Sequence, residues 1–194
     1  MKRNKIKIAI TGGIGSGKTE AIAAVKNAGI DVINCDEIVS KLYRRQSFLR
    51  KIKKIFPTAV TGGIFLKADK KKIAEEAFKD PEKYAELNGT VTDKALKIAL
   101  KKAEKKKFSV TEVPLLFETG AEKYFDKVIV VKRDIKDRIE SVKKRSNLSE
   151  EEILARIEKQ FDYDGSDLSD YIVIQNDKDL KNLSAEILTA IKNV

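Results

Sequence analysis

The chain has 194 residues, 42% hydrophobic and 36% charged, a composition typical of one globular α/β domain. Every apolar run falls short of the ~20 residues that span a bilayer, and Met1-Lys2-Arg3 leads directly into a predicted strand. We therefore expect no membrane insertion, no signal peptide and a cytoplasmic location. Having one cysteine, Cys35, and no histidine excludes an intramolecular disulfide and histidine catalysis, and argues against a zinc site. A general base must then be Asp or Glu, or failing those Lys, Tyr or Cys35.

The formal net charge of +10 raises the question of a polyanionic partner. The lysines cluster at residues 70–72, 101–107 and 143–144, in stretches with helical spacing, where a solvated helix face is the commoner explanation. A cleft for phosphorylated small molecules would account for the charge equally well. We predict small-molecule partners and no nucleic acid. The alternative, a nucleic-acid-stimulated ATPase, would be supported by salt-dependent binding to DNA or RNA.

The first predicted strand, residues 6–10, is separated from helix-forming sequence at 20–26 by a glycine-rich stretch. That stretch matches the pattern G-x-x-x-x-G-K-[ST] of a phosphate-binding P-loop, in its required place between strand and helix. Glycines let the backbone approach phosphate closely, and consecutive N–H groups surround it at the positive end of the helix. The alternative is a glycine-rich turn with a surface lysine. We predict nucleotide binding by Gly13, Ile14, Gly15, Ser16, Gly17, Lys18 and Thr19.

Two side chains of the P-loop have predicted roles of their own. Lys18 would reach the β- and γ-phosphates, and the hydroxyl of Thr19 would bind Mg²⁺. A third candidate, Asp36, follows the second predicted strand, residues 30–34. Open α/β sheets bind ligands at the carboxyl ends of their strands, so Asp36 can act in catalysis. Its alternative role is that of a helix N-cap, which Asp favours strongly.

Residues 46–106 carry no clear strand, and their apolar spacing predicts three helices. The first is amphipathic, the second is capped by Asp69, and the third starts at Pro81 and runs toward Lys106, locally weakened at Gly89. We expect a helical insertion in a single domain covering residues 1–194. A kinase that binds a sizeable second substrate would need such an insertion, so we predict that it binds substrate.

Three further strands are predicted after the insertion, at residues 108–112, 127–131 and 171–174. The first of them ends in Glu112, and an apolar strand ending in a carboxylate matches the Walker-B pattern, in which the acid assists Mg²⁺. We therefore predict Thr19 and Glu112 at the metal. The five strands predict a three-layer α/β P-loop NTPase fold with a parallel sheet and right-handed crossovers.

Residues 135–161 predict two lid helices joined by a short basic turn. The second helix opens with a capping box, Ser149 with Glu152, and should run through Phe161. Such a pair is similar to the lid of small-molecule kinases, which closes arginines over the phosphates. For each arginine taken singly, the alternative is solvation at the surface; the arginines are Arg138, Arg145 and Arg156.

Five stretches of the sequence occur in an order found in one enzyme family: Thr11–Lys18, Val32–Asp36, Leu87-Asn88, Val113–Glu118 and Arg156–Gln160. On these stretches the chain resembles the dephospho-CoA kinase family over nearly its whole length. The Pro-Leu-Leu-Phe-Glu block within the fourth stretch is the most diagnostic, because P-loop kinases at large do not share it. Enzymes of this family transfer the γ-phosphoryl group of ATP to the ribose 3′-hydroxyl of dephospho-CoA, the last step of coenzyme A biosynthesis.

The resemblance implies roles for single residues. Asp36 would be the general base, Lys18 and Thr19 would serve ATP and Mg²⁺, and Arg145 would be the lid arginine and an ATP ligand. ATP and dephospho-CoA would be the substrates. We expect the protein to be a monomer or a weak homo-oligomer.

The sequence also departs from the family pattern. Asn34 stands where the family has a first aspartate, Glu112 replaces an aspartate, and Thr92-Asp93 replaces a His-Pro pair. Ser141 replaces a lid arginine, for which Arg138 is a candidate substitute, and residues 161–170 are acidic where relatives are basic. Because Asp36, the P-loop and Arg145 remain, these changes bear on the acceptor more than on phosphoryl transfer.

Two other readings of the P-loop are possible. The first is a kinase for another small metabolite, such as a nucleotide. The second is a GTPase-like switch, suggested by Asp162-x-x-Gly165 and by Asn176-Asp177-Lys178-Asp179. These two stretches lie only about ten residues apart and the second has the wrong residue order, so the switch is disfavoured.

Overall fold

The computed structural model describes residues 5–177 and 179–194. Met1-Lys2-Arg3, on which the leader prediction rests, and Lys178 of the GTPase-like stretch lie outside the described residues. The described chain forms two compact units, one ending at Asn34 and resuming at Leu100, the other comprising Cys35–Ala99. Within the described residues, no helix combines the length and the apolar character needed to cross a membrane.

The helices and strands follow one another along the chain in the predicted α/β order. They are β1 (Ile6–Thr11), α1 (Lys18–Asn27), β2 (Val32–Asn34), α2 (Cys35–Leu42), α3 (Gln46–Ile55), β3 (Val60–Thr61), β4 (Lys67–Ala68), α4 (Lys70–Lys79), α5 (Pro81–Ala103), β5 (Phe108–Glu112), a 3₁₀ helix (Glu122–Tyr124), β6 (Lys127–Lys132), α6 (Ile135–Arg145), α7 (Glu150–Glu158), β7 (Ile172–Gln175) and α8 (Leu180–Lys192).

The first unit is built on a parallel sheet with the strand order β2-β5-β1-β6-β7. This confirms the predicted parallel sheet of five strands. The strand β1 lies in the centre and pairs with β5 through Ile8 and Val110 and with β6 through Ile10 and Ile129. Central strands of a parallel sheet are covered on both faces, which explains their unbroken apolar runs. The loop after β1 therefore leaves the sheet at its middle.

One face of this sheet is covered by α1 and α8. Helical spacing places Ala21, Ile22 and Val25 of α1 against the strands, and Leu183, Ile187 and Ile191 of α8 join them in one buried cluster. The two helix faces pack on Ile8, Ile10, Ile129 and Ile174 of the sheet. Full burial of each such side chain stabilises the fold by about 1.5–3 kcal/mol, so packing on the sheet holds α1 firmly in place.

The second unit contains α2, α3, α4, most of α5 and a short hairpin. The amphipathic α3 buries Phe48, Leu49, Ile52 and Ile55, as predicted. Residues 46–106, in which no clear strand was predicted, do contain two short strands, β3 and β4, which pair antiparallel. Each strand has only two residues, too few for an alternating pattern to be visible. The unit spans 35–99, whereas the predicted insertion spanned 46–106.

Three predicted element boundaries also differ. The helix α2 begins at Cys35, so Asp36 lies in its first turn and is not the residue that precedes the helix. The helix α5 was predicted to run toward Lys106 but ends at Ala103. The second lid helix was predicted to run through Phe161, but α7 ends at Glu158. The helix stops because the amide of Phe161 donates to the carboxylate of Glu118 (2.9 Å) and not to a carbonyl of α7.

Candidate nucleotide-binding site

The P-loop joins the end of β1 to the start of α1 with glycines in conformations that other residues avoid. Gly15 and Gly17 have φ of 77° and 100°, in the left-handed region. Gly17 is the residue before α1 and has no side chain that could cap the helix. The positive end of a helix binds phosphate well, so the local geometry fits the predicted motif.

The ammonium group of Lys18 lies along this loop. It donates to the carbonyl oxygens of Gly12 (2.5 Å) and Gly13 (3.3 Å). The side chain thus turns back from the first residue of α1 toward the start of the loop. A positive charge at this position can attract the phosphates of a nucleotide.

The first turns of α6 pack directly on the loop. A β-carbon on Gly13 would lie 2.5 Å from Nη2 of Arg138, and one on Gly15 would lie 2.5 Å from the carbonyl oxygen of Arg138. Arg138 is only 4% exposed. The motif leaves positions 13 and 15 free, and the packing of α6 explains why both are glycine.

Both peptide groups of Ile14, at the middle of the loop, are hydrogen-bonded by side chains from elsewhere in the chain. Nε of Arg138 donates to the carbonyl of Ile14 (3.0 Å), and the amide of Ile14 donates to Oε1 of Gln160 (2.7 Å). Arg138 belongs to α6 and Gln160 follows α7, so the two predicted lid helices are tied to the loop.

Asp164 supplies the counter-charge for Arg138. Its carboxylate lies 3.6 Å from Nη1 of Arg138 and 3.4 Å from Nζ of Lys132. Burial lowers the pKa of Arg138, and the carboxylate of Asp164 opposes this shift. Asp164, which belongs to the acidic stretch 161–170, therefore has a structural role, because it compensates the charge of a buried guanidinium beside the P-loop.

The Pro-Leu-Leu-Phe-Glu block packs against the segment after α7, which carries Gln160 and Asp164. The ring of Phe117 packs against Phe161, Tyr163 and Tyr171, with centroids 4.5, 6.0 and 5.1 Å away. The hydroxyl of Tyr163 lies 3.2 Å from that of Thr11, the last residue of β1. Burial raises the pKa of Tyr163 to about 12. The block thus connects the segment after α7 to the base of the P-loop.

Asn176, after β7, supports the other end of the loop. Its side-chain amide donates to the carbonyl of Ser16 (2.9 Å), and a β-carbon on Gly17 would collide with that amide. In the GTPase-like reading this asparagine would recognise a base. Its buried amide is instead directed at the backbone of the P-loop.

The predicted metal ligand Glu112 is the last residue of β5 and is 6% exposed. The amide of Asn34, its register partner on β2, donates to Oε2 of Glu112. The hydroxyl of Thr19 and the carboxylate of Glu112 are hard oxygen donors, the kind that Mg²⁺ prefers. No cluster of three or more acidic or cysteine side chains that could hold a metal occurs in the described ranges.

The structure places the other predicted residues at the surface. Asp36 is exposed in the first turn of α2, within the second unit. Arg145 is exposed at the end of α6, seven residues and so about 10 Å along the helix from Arg138. Arg156 is exposed as well. Arg138, one of the three arginines of the predicted lid, contacts the loop.

Sequence reasoning did not single out Gln160, Tyr163, Asp164 and Asn176 as parts of the site. Gln160 was visible only as the last residue of a resembling stretch. Asp164 was visible only as part of an acidic run, and Asn176 as part of a rejected GTPase motif. Tyr163 gave no signal, because a tyrosine in an irregular segment has no periodic pattern to mark it as buried.

A sequence model of the family described as dephospho-CoA kinase matches residues 6–182. The chain belongs to the dephospho-CoA kinase family. Among relatives named dephospho-CoA kinase, one from Bacillus licheniformis is 32% identical over 189 residues, covering 93% of this chain and 92% of the relative. One from Thermus thermophilus is 32% identical over 156 residues, covering 79% and 74%.

Solved structures agree with this family assignment. The crystal structure of TT1252 from Thermus thermophilus superposes with a TM-score of 0.82 at 30% identity, covering 98% of this chain and 97% of that one. Dephospho-CoA kinase from Campylobacter jejuni gives a TM-score of 0.68 at 26% identity, with 96% of both chains covered. The comparisons confirm the resemblance to the dephospho-CoA kinase family, the kinase class and the three-layer α/β fold.

Proposed function

We propose that this protein transfers the γ-phosphoryl group of ATP to the ribose 3′-hydroxyl of dephospho-CoA. The observation that carries the proposal is the P-loop itself: two left-handed glycines, a helix start preceded by glycine and a lysine lying along the loop. Such a loop binds the phosphates of a nucleoside triphosphate. Membership of the dephospho-CoA kinase family gives the acceptor.

Lys18 and Arg145 are the groups we assign to the charge of the transferring phosphoryl group. Its transition state is loose, with negative charge spread over the phosphoryl oxygens, so catalysis depends on positioning and on positive charge. Lys18 is already at the loop. Arg145 is exposed on a helix end, and we propose that it reaches the phosphates when the lid moves with bound nucleotide.

Thr19 and Glu112 would hold Mg²⁺, directly or through water. When bound, the ion would neutralise charge on the β- and γ-phosphates. The hydrogen bond from the amide of Asn34 to Oε2 helps to orient the carboxylate of Glu112.

Asp36 is the proposed general base. A ribose hydroxyl is a poor nucleophile at neutral pH, and with no histidine in the chain a carboxylate is the natural proton acceptor. Asp36 is exposed in the first turn of α2, so its carboxylate is accessible to a substrate hydroxyl.

We propose that the helical segment 46–106 binds the acceptor. A groove of about 440 Å³ between α3 and α5 supports this. Four lysines line it, Lys51, Lys54, Lys94 and Lys97, together with Thr90, Asp93 and Glu86. The excess of positive charge suits the diphosphate of dephospho-CoA.

Further proposals concern location and partners. We propose a cytoplasmic enzyme with small-molecule partners, no nucleic acid, and a monomeric or weakly associating state. The described lysines of the clusters at 70–72, 101–102 and 143–144 are exposed on helices, as a solvated face would be. A mobility-shift titration with DNA and RNA at low salt tests the nucleic-acid part, and sedimentation velocity tests the oligomeric state.

The activity is tested by incubating the purified protein with MgATP or MgGTP and a panel of acceptors while ADP or GDP release is followed. Dephospho-CoA should give the highest kcat/KM, with a product phosphorylated at the 3′-hydroxyl by NMR. Lys18→Ala is the matched inactive control. A preference for a nucleoside monophosphate or another metabolite would favour the alternative, a kinase for another small metabolite. That alternative is considered because Thr92-Asp93 departs from the family pattern.

A further inference from the structure

The peptide unit at Ile14 is held on both sides by side chains distant in sequence. Its carbonyl accepts from Arg138, 124 residues away, and its amide donates to Gln160, 146 residues away. Within the loop itself, the amide of Ser16 donates to the carbonyl of Gly13 (3.2 Å). The middle of the loop therefore depends on side chains from outside it.

Each of these side chains is itself fixed. Arg138 is buried, its guanidinium lies against Gly13, and Asp164 provides its charge partner. Gln160 precedes Phe161, whose amide is held by Glu118 and whose ring packs on Phe117. Groups with locked surroundings are suited to impose a conformation on a flexible loop.

We propose that Arg138 and Gln160 are positioning residues that clamp Ile14 and hold the P-loop in its phosphate-binding shape before nucleotide arrives, while Asp164 holds Arg138 in place. A loop ordered in advance does not lose conformational freedom when its ligand binds, so the ligand binds more tightly. The clamp therefore sets nucleotide affinity and leaves the chemical step nearly unchanged. This inference rests on the proposed binding of nucleotide by the P-loop.

The first test removes and restores the acceptor oxygen at position 160. Gln160→Leu should raise the Kd of ADP and ATP about fivefold, the usual effect of one neutral hydrogen bond, with kcat nearly unchanged. Gln160→Glu keeps an oxygen that can accept from the amide of Ile14, so it should keep that amide protected from exchange, while its added negative charge acts separately on nucleotide Kd. Glu158→Gln, at an exposed position of α7, is the matched control.

Hydrogen exchange gives a readout that a general loss of stability would not mimic. In Gln160→Leu, the amide of Ile14 should exchange faster, whereas amides of the central strands keep their protection. Unchanged exchange at Ile14 together with unchanged nucleotide Kd would overturn the proposal. If the amide of Ile14 exchanges equally fast in Gln160→Leu and Gln160→Glu, the proposal is overturned too, because the accepting oxygen would then not matter.

The second test separates positioning by Asp164 from competition with phosphate. If Asp164 holds Arg138 on the loop, Asp164→Asn should raise the Kd of ATP severalfold. If its carboxylate only repels the phosphates, the same variant should lower the Kd, which would contradict the proposal. Asp167→Asn, an exposed acid of the same segment, is the control.

Calorimetric binding of ADP and ATP needs no acceptor, so it distinguishes two kinds of failure. A protein that binds no nucleotide refutes the proposed function and the clamp together. A protein that binds nucleotide with equal affinity in all these variants refutes only the clamp.

Discussion

Arg138 lies so close to Gly13 that a β-carbon at position 13 would be 2.5 Å from a terminal nitrogen of its guanidinium. The same arginine limits Gly15 with its backbone, where a β-carbon would be 2.5 Å from its carbonyl oxygen and 2.9 Å from its Cα. One residue of α6 thus restricts two positions that the P-loop motif leaves open. The two restrictions differ in kind, since a side-chain end can move and a helix backbone cannot.

Gly15→Ala should therefore be the more damaging substitution of the two. Its φ of 77° is unfavourable for alanine and its neighbour is backbone, so we expect destabilisation of about 2 kcal/mol or more and loss of nucleotide binding. Gly13→Ala should only displace the guanidinium, which weakens nucleotide binding with a smaller change in Tm. Gly63→Ala, where nothing lies within 4 Å, is the control. Equal effects at positions 13 and 15 would contradict this account.

Asp36→Asn tests the general base. Loss of a positioned acid–base group costs roughly 10²–10⁴ in kcat, and ATP affinity should hardly change because Asp36 has no assigned phosphate contact. As a residue of the first turn of α2, Asp36 contributes to stability mainly through the helix dipole, worth about 0.3–1 kcal/mol. Turnover, ATP Kd and Tm should be measured together, with Glu37→Gln as control. Near-normal turnover would leave only the structural role.

Arg145→Ala tests the lid. An arginine that reaches the phosphoryl group only after closure should lower kcat far more than it weakens ATP binding. Steady-state kinetics and calorimetry on the same preparations measure the two effects, and Lys144→Ala, its exposed neighbour, controls for lost charge. The reverse pattern, weak ATP binding with normal kcat, would make Arg145 a ground-state ligand.

Opposite charges in the groove between α3 and α5 should have opposite effects on the acceptor. Lys94→Gln should raise the KM for dephospho-CoA about two- to fivefold, as expected for one partly exposed charge, without changing ATP Kd. Asp93→Asn removes a negative charge from the same groove and should lower that KM or leave it unchanged. Lys83→Gln lies on α5 outside the groove and serves as control. If neither groove variant changes the acceptor KM, the diphosphate binds elsewhere.

Tyr163→Phe should change how stability depends on alkaline pH. The pKa of Tyr163 is raised from 10.0 to about 12 by burial, so on raising the pH the phenol ionises first in the unfolded chain. The unfolded state then binds fewer protons, and the free energy of unfolding falls as the pH rises between about 10 and 12. The loss is of order 2 kcal/mol.

Tyr163→Phe has no phenol to ionise at this position, so its free energy of unfolding lacks that fall at alkaline pH. At neutral pH it should be less stable by about 1 kcal/mol, because the hydrogen bond with Thr11 is gone. Its deficit should then shrink as the pH increases, as measured by urea unfolding at several pH values. Tyr124→Phe, at an exposed ring, controls for the ionisation of lysines in the same range. A deficit that stays constant with pH would contradict the raised pKa.

Features encoded by neighbouring residues were predictable from the sequence. The strand, P-loop and helix at the start of the chain follow from one contiguous stretch. Side-chain caps behave in the same way: Asp69, and Ser149 with Glu152, make the predicted contacts with an amide three residues away. Such contacts depend on local geometry, so the order of residues alone specifies them.

Elements shorter than one period of a pattern were not predictable. The strands β3 and β4 have two residues each, and their pairing depends on the turn between them. Gln46, from α3, also holds this turn through the amide of Leu66 (2.7 Å). Neither contact leaves a periodic signal in the sequence.

The sequence by itself determined the P-loop, the parallel sheet of five strands and membership of a kinase family. Only the tertiary structure decided which polar side chains meet the loop. Arg138, Gln160 and Asn176 reach it across 124, 146 and 160 residues of chain. Helical periodicity indicates which face of a helix is apolar. Hydropathy alone would assign an arginine such as Arg138 to the solvent face, whereas in the structure it is buried because Asp164 compensates its charge.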